Sequence, residues 1–151
     1  MSEAETRFGR AGIDLPAINA RRIVEEASGT PPSEFHRVLD EPATVRGVAH
    51  FDSMVARREK GEPLQYVLGN WSFRELEVMV DHRALIPRPE TEVVAGLAID
   101  EVTARSGGIQ REVLVADLGT GTGVIALSIA TECPRSRVLA TDISPDALAV
   151  A

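Results

Sequence analysis

The stretch Val113-Leu114-Val115-Ala116-Asp117-Leu118-Gly119-Thr120-Gly121-Thr122-Gly123 decides the fold. An apolar run with branched residues predicts a buried strand over 113–118, and an acid stands one residue from its end. Three alternating glycines follow, where the backbone can turn sharply and approach a ligand that a Cβ would exclude. Val124 to Glu132 then reads as a helix, and Arg137 to Thr141 as a second strand. Strand, helix and strand in this order predict a parallel sheet of the α/β class, Rossmann-like in its start. Ser144 is a fitting cap, and Pro145 a fitting first residue, for one more helix. Two parallel strands cannot close an α/β layer, so the end of the chain at Ala151 is expected to be a truncation.

The same stretch carries the chemistry. A helix opening after a glycine loop presents N–H groups and a positive dipole end. Asp142 ends the second strand, nineteen residues after Gly123, where a carboxylate can accept both hydroxyl hydrogens of a ribose. Two ligand classes compete for this geometry. Gly121 to Ala126 fits the dinucleotide pattern, which by itself is weak. Asp117 discriminates between them, because a carboxylate before the loop repels a pyrophosphate and suits an ammonium. S-adenosylmethionine has an ammonium, a sulfonium and a ribose diol, and no phosphate. Asp117, Gly119, Thr120, Gly121, Thr122, Gly123 and Asp142 are therefore the candidate contacts for that methyl donor.

Working outward toward the N-terminus, Glu90 onward reads as a helix with Val93, Val94, Leu97 and Ala98 on one face, broken at Ser106-Gly107-Gly108. Pro87-Arg88-Pro89 precedes it and disfavours helix. Leu76, Val78 and Val80 alternate with Glu75, Glu77 and Met79 as in a half-buried strand. Asp81-His82 would be its turn, and Ala84 to Ile86 the returning strand. The first sixty residues read as helical. Asp14 can cap a helix through Ala27 that stops at Gly29, with Pro31-Pro32 preventing its resumption. A short helix follows over Glu34 to Leu39. Another, from about Ala43 to Lys60, places Val45, Val48, Ala49 and Val55 on one face. Arg57, Arg58 and Lys60 read as its solvated cationic end.

Composition bounds the function. The 151 residues are 44% hydrophobic and 26% charged with a net charge of −7, a globular mix without the clustered cations that phosphate backbones require. No direct nucleic-acid binding is expected. Neither a membrane span nor a basic-then-apolar leader is visible, which suits the cytoplasm. Cys133 is the only cysteine and reads as a packing residue. His36, His50 and His82 lack ligand spacing, so no metal is expected.

Gly61-Glu62-Pro63-Leu64-Gln65-Tyr66, Gly69, Phe73, Leu85-Ile86-Pro87-Arg88-Pro89-Glu90-Thr91-Glu92 and the Asp117 to Gly123 loop together resemble the release factor glutamine methyltransferases, the HemK/PrmC family. The resemblance is specific from Gly61 to Ala151. It implies an N-terminal helical substrate-recognition domain over 1–60, a linker with a β-hairpin over 61–89, and an incomplete methyltransferase domain over 90–151. The implied partner is a peptide chain release factor, methylated on the glutamine of its Gly-Gly-Gln loop. The ribosomal-protein branch typically has Arg followed by Ser-Pro, so Pro89-Glu90-Thr91-Glu92 favours the release-factor branch. Arg88 and Glu90 lie near where the donor or substrate loop sits in this family. The family's Asn-Pro-Pro-Tyr motif, which positions the acceptor amide, is absent, and the only asparagines are Asn19 and Asn70. No catalytic residue is assigned, and the chain alone is expected to be inactive. Another class I methyltransferase, or a non-catalytic module that binds a release factor, remains an alternative.

Overall fold

The computed structural model describes residues 2–31, 33–107 and 112–151. Pro32 and Gly108, expected above as helix breakers, lie outside the described residues. The chain divides into two compact units, one ending at Leu68 and the other running from Gly69 to Ala151.

The first unit is helical. Its helices are α1 (Ser2–Arg10), α2 (Pro16–Ser28), α3 (Val45–Glu59) and α4 (Leu64–Leu68), with a 3-10 turn at Phe35–Arg37 between α2 and α3, shorter than the helix expected there. Phe8, Ala20, Ile23, Met54 and Val55 form its interior. Asp14 does not cap α2. The cap position is Leu15, in the left-handed region at φ 52°, with Pro16 opening the helix. Asn19 secures this entry through Nδ2, which donates to the carbonyls of Asp14 and Leu15. The predicted apolar face of α3 is corrected in part: Val45, at 90%, Val48 and Ala49 are exposed, whereas Val55 is buried as expected, with Met54 beside it. The first turn of α3 approaches α2 through Gly47, where a Cβ would stand 3.2 Å from the Ala27 carbonyl oxygen, and the valines beside it stay exposed.

The cations at the end of α3 are not simply solvated. Arg57 donates to both carboxylate oxygens of Glu62 and to the carbonyls of Tyr66 and Val67. Arg58 donates to the Asn19 side chain and to the Glu62 carbonyl. Gly61 turns the chain at φ 91°, so Glu62 to Val67 folds back within reach of both guanidiniums. Discounting for partial solvent exposure, Arg57→Met is expected to lower stability by about 1–2 kcal/mol, read by chemical denaturation.

In the second unit β1 (Asn70–Phe73) pairs antiparallel with β2 (Leu76–Met79). The hairpin thus lies one strand earlier than expected, and Ala84 to Ile86 form no strand. The alternation itself holds, since Val78 and Val80 are buried and Met79 is exposed. The turn uses Arg74 at φ 50°. Its guanidinium grips both oxygens of Glu132 at 2.8 Å and reaches the Glu92 carbonyl, contacts that offset the backbone strain. Beyond β2, Arg83 holds Asp81 through its side chain and backbone N–H, which pushes that carboxyl down to about 2. A depressed carboxylate stabilises the fold above its unfolded value and loses that contribution as pH falls through about 2. Carbon-detected titration should find Asp81 near that value, and Arg83→Met should return it to the ordinary carboxylate range.

After the hairpin, α5 (Pro89–Ser106) packs on α6 (Val124–Glu132), and β3 (Val113–Leu118) pairs in parallel with β4 (Ser136–Thr141). Val102, Ile129 and Cys133 are the buried centre, with Ala98, Ile99, Val113, Val115 and Val138 packed around them. Cys133 is the packing residue expected. Two other expectations fail. On α5, Ala95 and Val102 face inward while Val93, Val94 and Leu97 stay exposed. On β3 only one face is covered, and Leu114 on the other is 73% exposed. The last helix, α7 (Pro145–Leu148), begins as expected, with Ser144 Oγ accepting from Ala147 N–H.

Candidate functional site

The parallel pairing of β3 with β4 sets Asp117 opposite Ala140 and Leu118 opposite Thr141, so both strands end at one level. The glycine loop leaves β3 there, and β4 ends beside it. Thr141 and Asp142 then bind three successive loop amides. The Thr141 carbonyl accepts from Gly119 N–H at 2.8 Å and Thr120 N–H at 2.9 Å. Asp142 Oδ2 accepts from Gly121 N–H at 2.9 Å. The Thr120 carbonyl takes the N–H of Gly123. The loop amides thus turn inward, toward the protein.

Two half-buried carboxylates belong to this arrangement. Asp142 Oδ1 accepts from Ser144 N–H and Oδ2 from Gly121 N–H, and these bonds hold its carboxyl below the ordinary range. A carboxylate has about four lone-pair positions, so acceptor capacity remains for a further donor. Asp117 Oδ2 accepts from Thr120 Oγ1 at 2.7 Å. Thr120 and Thr122 are buried.

Gly119, Gly121 and Gly123 all have positive φ, at 76°, 57° and 78°. What lies beside them differs. A Cβ on Gly119 or Gly121 would meet nothing within 4 Å, whereas one on Gly123 would stand 3.1 Å from the Ala151 Cβ. The open side of the loop is therefore at Gly119 and Gly121, and Gly123 is needed for packing. The other two candidates, Arg88 and Glu90, sit at the start of α5. Among the described residues, no hydrogen bond or ion pair joins either to the loop or to the other.

Residues 1–69 match the family model for the PrmC N-terminal domain, and residues 100–151 that for the methyltransferase small domain. Similarity to curated proteins runs through both. The release factor glutamine methyltransferase of Streptomyces coelicolor is 41% identical over 98% of this chain and 50% of its own length. That of Bifidobacterium longum is 38% identical over 97% of this chain and 50% of its own, and that of Moorella thermoacetica 36% over 100% and 52%. The chain thus carries a stretch similar to the PrmC N-terminal domain, followed by one similar to the methyltransferase small domain. It spans about half the length of the curated relatives it matches.

Two further features of the chain bear on function. A cleft of about 380 Å³ in the helical unit is lined by residues that include Val24, Phe35, Leu39, Val48 and Phe51. It escaped sequence reasoning because it joins residues from α2, the 3-10 turn and α3. Among the described residues, no cluster of His, Cys, Asp and Glu could hold a metal, and no helix is long and apolar enough to cross a membrane.

Proposed function

We propose that this protein binds S-adenosylmethionine at the β3–β4 loop and methylates the glutamine of the Gly-Gly-Gln loop in peptide chain release factors, in the cytoplasm. The observation that carries the donor reading is that the amides of Gly119, Thr120, Gly121 and Gly123 are already bound by acceptors of the protein, while the half-buried carboxylates of Asp117 and Asp142 keep acceptor capacity. A pyrophosphate would need those amides and would be repelled by both acids. A ligand with an ammonium and a diol fits the donor set: Asp117 would receive the ammonium, and the remaining lone pairs of Asp142 the ribose hydroxyls. The open side of Gly119 and Gly121 gives such a ligand room. When bound, the donor supplies a methyl group on a positively charged sulfur. Arg88 and Glu90 are proposed to contact donor or substrate, and the helical unit to help hold the release factor. The release-factor reading rests on the names of the relatives.

In the full-length protein, Asp142→Ala is expected to weaken donor binding by about 1.5–3 kcal/mol, the scale of hydrogen bonds to a charged group. Because Asp142 also holds Gly121, a donor analogue lacking the ribose hydroxyls serves as control and should lose little on the substitution. Calorimetry that finds unchanged affinity for the donor itself would sink the assignment.

A further inference from the structure

Thr120 is committed within the loop at every polar group. Its N–H goes to the Thr141 carbonyl, its carbonyl receives Gly123 N–H, and its hydroxyl donates to Asp117 Oδ2 at 2.7 Å. The side chain is only 7% exposed, too covered to offer a ligand much surface. What it controls is the acid. An aspartate at the end of a strand has several rotamers, and a bond from a buried, doubly anchored hydroxyl selects one of them. Ordering a side chain before a ligand arrives removes that cost from binding.

We propose that Thr120 is a positioning residue, which holds the Asp117 carboxylate ready for the donor's ammonium and does not touch the donor itself. This rests on the reading that Asp117 receives that ammonium. Valine at position 120 keeps the branched shape and deletes the hydroxyl, and serine keeps the hydroxyl.

The first measurement needs no ligand. Side-chain couplings of Asp117 in the labelled full-length protein should show one rotamer in the wild type and in Thr120→Ser, and averaging in Thr120→Val. The second is calorimetry with S-adenosylmethionine. Thr120→Val should bind about tenfold more weakly, the effect of one hydrogen bond to a charged group, and Thr120→Ser within about threefold of wild type. Added to Asp117→Ala, the valine substitution should cost nothing further, since there is no carboxylate left to hold. An unchanged Asp117 rotamer in Thr120→Val overturns the proposal. So does a tenfold loss that persists in the Asp117→Ala background, which would place Thr120 on the donor directly. If Asp117→Ala alone binds the donor normally, the ammonium reading falls, while the rotamer measurement still reports on the brace.

Discussion

The 151-residue chain by itself is expected to transfer no methyl group to a peptide chain release factor. An amide nitrogen is a poor nucleophile, and a group that accepts its hydrogens and aligns it with the methyl group is where most of the rate should arise. Such positioning is worth on the order of 7 kcal/mol or more of barrier. Neither asparagine of the chain can take that part in an Asn-Pro-Pro-Tyr motif, because neither precedes proline. Asn19 is buried in the helical unit, with Nδ2 on the Asp14 and Leu15 carbonyls and Oδ1 on Arg58. Asn70 belongs to β1. A labelled-donor assay with unmodified release factor, run beside a full-length relative, is the direct test. Stoichiometric methylation by the chain would mean that the acceptor clamp lies within residues 1 to 151, in groups not assigned here.

Gly121→Val should abolish detectable donor binding in the full-length protein and leave most of the fold intact. Two effects combine. At φ 57° a β-branched residue is strained by roughly 1–3 kcal/mol. The new side chain also enters the open space beside the loop, where no protein atom lies within 4 Å of the Cβ position. Gly121→Asn separates the two, because asparagine tolerates the left-handed region and still fills the space. Both variants should lose the donor while their circular dichroism stays close to wild type. Unimpaired binding by the asparagine variant would show that the open side of Gly121 is not where the ligand lies.

The part of the fold from Val113 onward was legible because its signals are local. A strand, three glycines, an apolar helix and a Ser-Pro start each act within a few residues, and the Ser144 cap formed as its chemistry requires. The hairpin was misplaced for the opposite reason. Arg74-Glu75 has none of the glycine, asparagine or aspartate that mark a tight turn. Arg74 adopts positive φ with Glu92 and Glu132 as partners, eighteen and fifty-eight residues away. The face of α5 failed in part for the same reason: Ala98 packs on the core as expected, but Ile99 and Val102 join it there in place of Val93, Val94 and Leu97. At the candidate site, the spacing of Asp117, the glycines and Asp142 could be read. That Asp142 braces Gly121 and Ser144, and that Thr120 holds Asp117, could not, because rotamers and amide directions exist only once β4 lies beside β3.

The grip of Arg57 on Glu62, Tyr66 and Val67 sets a rule for anyone recombining this chain with its relatives. A crossover placed at Gly61, where the sequence changes character, would pair one parent's guanidinium with the other parent's return segment. Backbone carbonyls match in any parent and the Arg58–Asn19 bond lies wholly before the junction, but the two halves of the Arg57–Glu62 fork have to be inherited together. The safe junction is after Leu68, where the helical unit ends. Hybrids joined there should express and melt like their parents, and hybrids joined at Gly61 should do so only when both parents share Arg57 and Glu62.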